Sequence, residues 1–129
     1  MPATSFPEYA RSIADILDRV VATGEAVLLT LQVDQRSSML GFISGSLQFD
    51  DRSALHFREF VNMGRVEPKL MYAYHYQDAD SHLIFRYDNA AHRPALSFSE
   101  HKHSPSTVVD SAAPTLAEVL DQIVNQRDP

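Results

Sequence analysis

Between Phe85 and His103 the chain reads FRYDNAAHRPALSFSEHKH, gathering Arg86, Tyr87, Asp88, Asn89, His92, Arg93, His101, Lys102 and His103 into one short stretch. These side chains move protons and hold anions. An imidazole takes or gives a proton near neutral pH, while a guanidinium stays charged and grips phosphate or carboxylate oxygens. With Arg58 and His75 from the middle of the chain, Arg86, His92, His101 and His103 form a candidate acid–base and anion-stabilising set. Lys102, Arg93 and Tyr87 are the candidates for holding a substrate beside it.

Each of these residues also has a plainer reading. His101 and His103 are two apart, so an extended backbone would send both the same way, towards a phosphate or a metal; the alternative is a solvated basic loop. No third ligand stands at a matching spacing, so neither a metal nor a cofactor is expected. Arg86 on a sheet face either meets an anionic substrate or forms an internal ion pair with Glu59 or Asp88. Asp88 and Asn89 fall where such residues commonly shape a turn. Tyr72, Tyr74 and Tyr76 alternate as a packed strand face does, with base stacking as the other use of such rings. For His56 and His75 a structural role weighs more than a reactive one, and His82 sits beside a turn with no role assigned.

The elements that must carry these groups are legible in outline. Ser5-Phe6-Pro7-Glu8 has the S-x-x-E form of a capped helix start. The apolar stripe Phe6, Tyr9, Ala10, Ile13, Ile16, Leu17, Val20 and Val21 follows, with Gly24 as a left-handed stop. From Ala26 the period becomes that of strands, with Val27 to Asp34 and Met39 to Phe49 joined through Arg36-Ser37-Ser38. Gly41 and Gly45 mark bulges or places where another group comes close. Asp50-Asp51-Arg52-Ser53 turns the chain, and setting Phe49 opposite Leu55 and Leu47 opposite Phe57 collects four apolar side chains on one face. Lys69–Gln77 and His82–Asp88 form a second hairpin, with Tyr76 opposite Leu83, Tyr74 opposite Phe85 and Tyr72 opposite Tyr87. Its other face then carries His75, His82, Ile84, Arg86 and Asp88. The residues after Asn89 show no sustained period and read as a long connection. Thr115-Leu116-Ala117-Glu118 repeats the capping box and opens a short closing helix. The whole predicts an α+β fold: an antiparallel sheet of four to five strands built from hairpins, with an N-terminal and a short C-terminal helix on one face.

Composition narrows the class. At 129 residues, 44% apolar and 22% charged, the chain reads as one globular domain spanning 1–129. It has no cysteine, which excludes disulfides, thiolate chemistry and iron–sulfur clusters. No run of about 18 apolar residues occurs, so no membrane span is expected and the cytoplasm is the default location. The net charge of −6 argues against general phosphate coating. Residues 51–103, however, hold seven basic and seven acidic residues, so the flanks supply the whole deficit, and all six histidines lie in that neutral middle.

Three pieces, GFISGSLQFDDRSALHFREFV from Gly41, YAYHYQDADSHLIFRYDNA from Tyr72, and HKH followed by PTLAEVL, together resemble the TumE family over roughly residues 25–124. The resemblance implies the toxin of a type II toxin–antitoxin module, neutralised by a small helix-turn-helix antitoxin. On residue types the expected action is metal-independent cleavage of RNA, which needs a base for the 2′-hydroxyl, an acid for the leaving 5′-oxygen and a cation for the crowded phosphate. The alternative is a non-enzymatic binding module that inhibits a cellular target or assembles with its antitoxin. Nucleotidyl transfer is disfavoured, because the only D-x-D, Asp78 and Asp80, falls in a hairpin turn. A homodimer through the open sheet face or an edge strand is a further expectation.

Overall fold

The computed structural model describes residues 3–89, 101–104, 108–110 and 113–127. Helix α1 spans Phe6–Ala22. The Ser5 side chain accepts from the Glu8 N–H at 3.4 Å, and Gly24 adopts φ +80 beyond the helix end, where its N–H donates to the Val21 carbonyl. Strands β1 (Ala26–Gln35), β2 (Leu40–Phe49), β3 (Ala54–Asn62), β4 (Lys69–Gln77) and β5 (Leu83–Asp88) follow, then two short strands, β6 (His101–His103) and β7 (Val108–Asp110). Helix α2, Leu116–Arg127, closes the chain; Thr115 Oγ1 accepts from the Glu118 N–H at 3.1 Å and Glu118 accepts from the Thr115 N–H at 2.9 Å. The seven strands lie side by side in chain order, each pair antiparallel.

The fold class and both helices are as expected, but the sheet has seven strands where four to five were anticipated. The extra two come from the segment read as irregular. A three-residue strand is too short to show a period, and pairing with the free side of β5 defines it instead.

Both hairpin registers differ from expectation by two residues. Leu47 pairs with Leu55 and Gly45 with Phe57; Tyr76 pairs with Phe85 and Tyr74 with Tyr87. The turns cause the first shift and half of the second, and a bulge in β5 adds the other half. Three-residue loops close between Phe49 and Ser53 and between Asp78 and His82, with Arg52 and Ser81 taking the left-handed backbone at φ 70 and φ 68. A two-residue slip leaves every side chain on its expected face. Leu83 and Ile84 are the exceptions. Leu83 pairs with Gln77 and so lies on the open face rather than opposite Tyr76, and Ile84 is the extra residue of the bulge in β5 and packs against the core rather than joining the polar group.

One face of the sheet is the core. Leu47, Leu55, Phe57, Tyr74 and Phe85 are buried there with Phe6, Ile13 and Leu17 from α1 and Leu116, Val119, Leu120 and Ile123 from α2. Gly41 and Gly45 admit the close approaches expected of them: a Cβ at Gly41 would run into the Phe6 ring, and one at Gly45 would meet the Phe57 ring and the Thr30 carbonyl. Glu59 also points into this core at 1% exposure. Its carboxylate accepts from the Tyr9 hydroxyl and, at 2.6 Å, from that of Tyr74. Lys69 donates to the Tyr74 hydroxyl at 2.7 Å and to the Pro114 carbonyl, so one polar network ties α1, the sheet and the entry to α2. Burial first, then the Glu59 charge, pushes both tyrosine hydroxyls well above the usual phenol range, which keeps them as donors. No helix among the described residues is long and apolar enough to cross a membrane.

Candidate functional site

The second face of the sheet receives the alternate residues of the same strands. Directly opposite residues share a face, so the register alone lines up Ser46, His56, His75, Arg86 and His103 across β2 to β6. The next row holds Ser44, Arg58, Ala73 and Asp88. A cleft of about 350 Å³ opens on this face, lined by Ser44, His56, Arg58, His75, Gln77 and Arg86 among others.

Asp88 is the pivot. Its side chain is 4% exposed and accepts from Arg86 Nε at 2.7 Å and from His103 Nε2 at 3.2 Å. Arg86 reaches the other way as well, its Nη1 lying 3.4 Å from His75 Nδ1, while His75 Nε2 lies 3.2 Å from Gln77 Oε1. A guanidinium N–H can only donate, so Nδ1 of His75 is the acceptor and its proton sits on Nε2. Burial first, and then the Arg86 charge, holds the His75 imidazole below its ordinary value, so it is neutral at pH 7. The His56 ring lies 6.3 Å from that of His75, and Arg58 and His56 are exposed at the open side. The arrangement therefore holds a neutral imidazole, a carboxylate-paired imidazole and two guanidinium groups on one wall. That set can take a proton, return one and hold an anion between the two.

Of the residues proposed from sequence, Arg58, His75, Arg86 and His103 come together here. His101 occupies the register position opposite Asp88. His92 and Arg93 lie outside the described residues. Tyr87 and Lys102 pair with each other but on the helix-bearing face: the Lys102 ammonium sits 5.1 Å from the centre of the Tyr87 ring, and the Tyr87 hydroxyl donates to Gln122 at 2.8 Å. The two internal partners weighed for Arg86 are separated by the pleat. Asp88 shares its face, and Glu59 lies on the other. The sequence offers Asp88 both as a turn residue and as an ion-pair partner of Arg86, and the structure takes the second, as their spacing of two on one strand allows. Asp78, Asp80 and His82 offer ligand atoms within 4.8 Å of one another, but Asp78 Oδ1 is engaged by the Asp80 and His82 N–H groups at 2.9 Å each, and the group serves as a turn.

No curated protein and no solved structure matches the chain. A family model described as toxin TumE matches residues 16–127, most of the sequence and every strand described above, and on that match the chain belongs to the TumE toxin family.

Proposed function

We propose that this protein is the toxin of a type II toxin–antitoxin pair, that it cuts RNA in the cytoplasm as a metal-independent endoribonuclease, and that a small helix-turn-helix antitoxin holds it in check. The observation that carries the reading is the wall on which Arg86 joins His75 to the Asp88–His103 pair beside Arg58. In this reading the Arg86 guanidinium turns from His75 to the phosphate, the Nδ1 of neutral His75 that it frees takes the proton of a ribose 2′-hydroxyl, and the 2′-oxygen attacks the neighbouring phosphorus. The bond from phosphorus to the 5′-oxygen breaks, and His103 supplies the proton that the leaving oxygen takes up. Arg58 and Arg86 hold the non-bridging oxygens as negative charge builds. The products are a 2′,3′-cyclic phosphate and a 5′-hydroxyl, with no water or metal consumed. Incubating the purified protein with total RNA, with and without a chelator, tests this. Cleavage that survives the chelator and leaves those termini is expected. Intact RNA overturns the enzyme, and chelator-sensitive cleavage overturns the mechanism.

One feature favours the non-enzymatic alternative. Outer strand β1 leaves Val27, Leu29 and Val33 at 61%, 53% and 50% exposure, an apolar edge suited to an antitoxin segment. If the alternative holds, Val33→Lys abolishes both toxicity and co-purification of the antitoxin while His75→Ala leaves toxicity intact. If the enzyme holds, His75→Ala abolishes toxicity and retains the antitoxin.

A further inference from the structure

Two aromatic rings on the open face belong to neither the core nor the acid–base wall. Phe42 on β2 stands opposite Phe60 on β3, with ring centres 4.2 Å apart and planes inclined by 15°. Both are half-buried, and neither is part of the core that the helices cover. Arg36 lies over the Phe42 ring at 5.3 Å, and half-exposed Met71 stands opposite Phe60 on the other side. The row Asp34, Phe42, Phe60 and Met71 thus runs across the sheet next to the row that carries Arg58, and Arg36 reaches over Phe42 while paired to Asp34 at 3.0 Å. Phe60 and Arg58 are two residues apart on one strand, so their side chains rise from the same face about 7 Å apart.

Cross-strand aromatic pairs stabilise sheets by roughly 0.2–1 kcal/mol each. Here the pair shares its face with the cations of an otherwise acidic molecule. The charged side chains of the face on β1 to β5, counting Arg36 at the end of β1, are Arg36, Arg58 and Arg86 against Asp34 and Asp88, three cations to two anions. His56, His75 and His103 add three imidazoles. The whole chain carries −6. A ring that accepts any base by its π-face, beside a guanidinium that accepts a phosphate, is the pairing by which single-stranded nucleic acid is held without sequence readout.

We propose that Phe60, backed by Phe42, forms a nucleobase-stacking subsite that holds a base of single-stranded RNA next to the phosphate seated at Arg58 and Arg86. The inference rests on the RNA reading above and adds where the strand lies: across β2 and β3, from the stacked rings towards the His75–Arg86 wall. It also sets the substrate as single-stranded, because a paired base stays stacked within its duplex.

The test uses Phe60→Leu and Phe42→Leu, which keep apolar bulk on the strand and remove the aromatic face, with Phe60→Tyr restoring a ring. The probe is a fluorescent 2′-O-methyl oligonucleotide, which cannot be cut because the attacking hydroxyl is blocked. Phe60→Leu weakens its binding about ten-fold or more with the salt dependence unchanged, Phe60→Tyr restores it, and Arg58→Gln instead flattens the salt dependence. A duplex of the same sequence binds both leucine variants as it binds the parent. Parent-like single-strand affinity in both leucine variants overturns the subsite while leaving RNA cleavage standing. If they keep that affinity yet lose a co-purifying partner protein, the rings belong to a protein interface and the subsite is again overturned. A parent protein that neither binds nor cuts RNA removes the subsite together with the reading beneath it.

Discussion

Replacing Asp88 by asparagine tests the centre of the site with the least change of shape. The side chain is 4% exposed and accepts from Arg86 Nε at 2.7 Å and His103 Nε2 at 3.2 Å. A hydrogen bond to a charged group contributes about 1.5–3 kcal/mol, roughly twice a neutral one. An amide keeps one acceptor oxygen and turns its NH2 towards the second donor, so one of the two bonds is lost and the other falls to neutral strength. Arg86, at 28% exposure, also loses its counter-charge on the sheet. Together these give an expected loss of about 2–4 kcal/mol, read from urea unfolding followed by circular dichroism at pH 7. Cleavage of RNA should fall at least about 100-fold, since an imidazole deprived of its carboxylate loses its orientation. A double-mutant cycle with His103→Ala should recover a coupling of about 1 kcal/mol or more. A loss below about 0.5 kcal/mol would show that the carboxylate does not hold the cluster. Full activity in a destabilised variant would show that the cluster is structural and the chemistry lies elsewhere.

Three other outcomes follow from the same coordinates. His75 should titrate below the ordinary 6.5, read from its ring proton by NMR, and Arg86→Gln should raise the midpoint by removing the second largest of its causes, after burial. Because the unfolded chain protonates first as pH falls, the stability His75 contributes is present above about 6.5 and is lost between there and its folded value, and a titration at or above 6.5 would contradict the site. Tyr9→Phe removes one charge-assisted bond to buried Glu59 and should cost about 1.5–3 kcal/mol in urea unfolding, whereas a neutral result would mean α1 is held by apolar packing alone. Gly41→Ala forces a methyl group into the fully buried Phe6 ring and should cost about 1–3 kcal/mol on the same assay, with Gly24→Ala as a contrast that finds open space but a strained backbone.

The helices, the first five strands and the division of the sheet into an apolar and a polar face were legible because each rests on a period carried by many residues. What escaped was set by a few atoms. Neither three-residue turn holds glycine at its left-handed position; Arg52 and Ser81 stand there instead, so the loop lengths carried no signature. Strands β6 and β7 exist through their neighbours, and HKH became a strand only because β5 offered it an edge. Lys102 and Tyr87 lie beside the reactive residues in sequence, yet adjacent positions in a strand point to opposite sides, and both belong to the helix face. Phe42 carried a usable signal: within GFISGSLQF it alternates with Ile43 and Leu47, which places it away from the core.

The site depends on register parity more than on any one side chain. At the turn, Asp78 closes with His82 and Gln77 pairs with Leu83, so paired residue numbers there sum to an even total. Continued without interruption, that ladder would set Tyr74 opposite Arg86 and Tyr72 opposite Asp88, driving a guanidinium and a carboxylate into the core beneath the helices. The extra residue Ile84 breaks the sequence. Beyond it Tyr76 faces Phe85 and His75 faces Arg86, and the aromatic side chains return to the core while the charges emerge on the open face. An even slip preserves the site and an odd one inverts it. The bulge is therefore the local feature that brings the charges to the open face after a three-residue turn, and β6 inherits its alignment from it, since His103 finds Asp88 only after β5 has been turned the right way out.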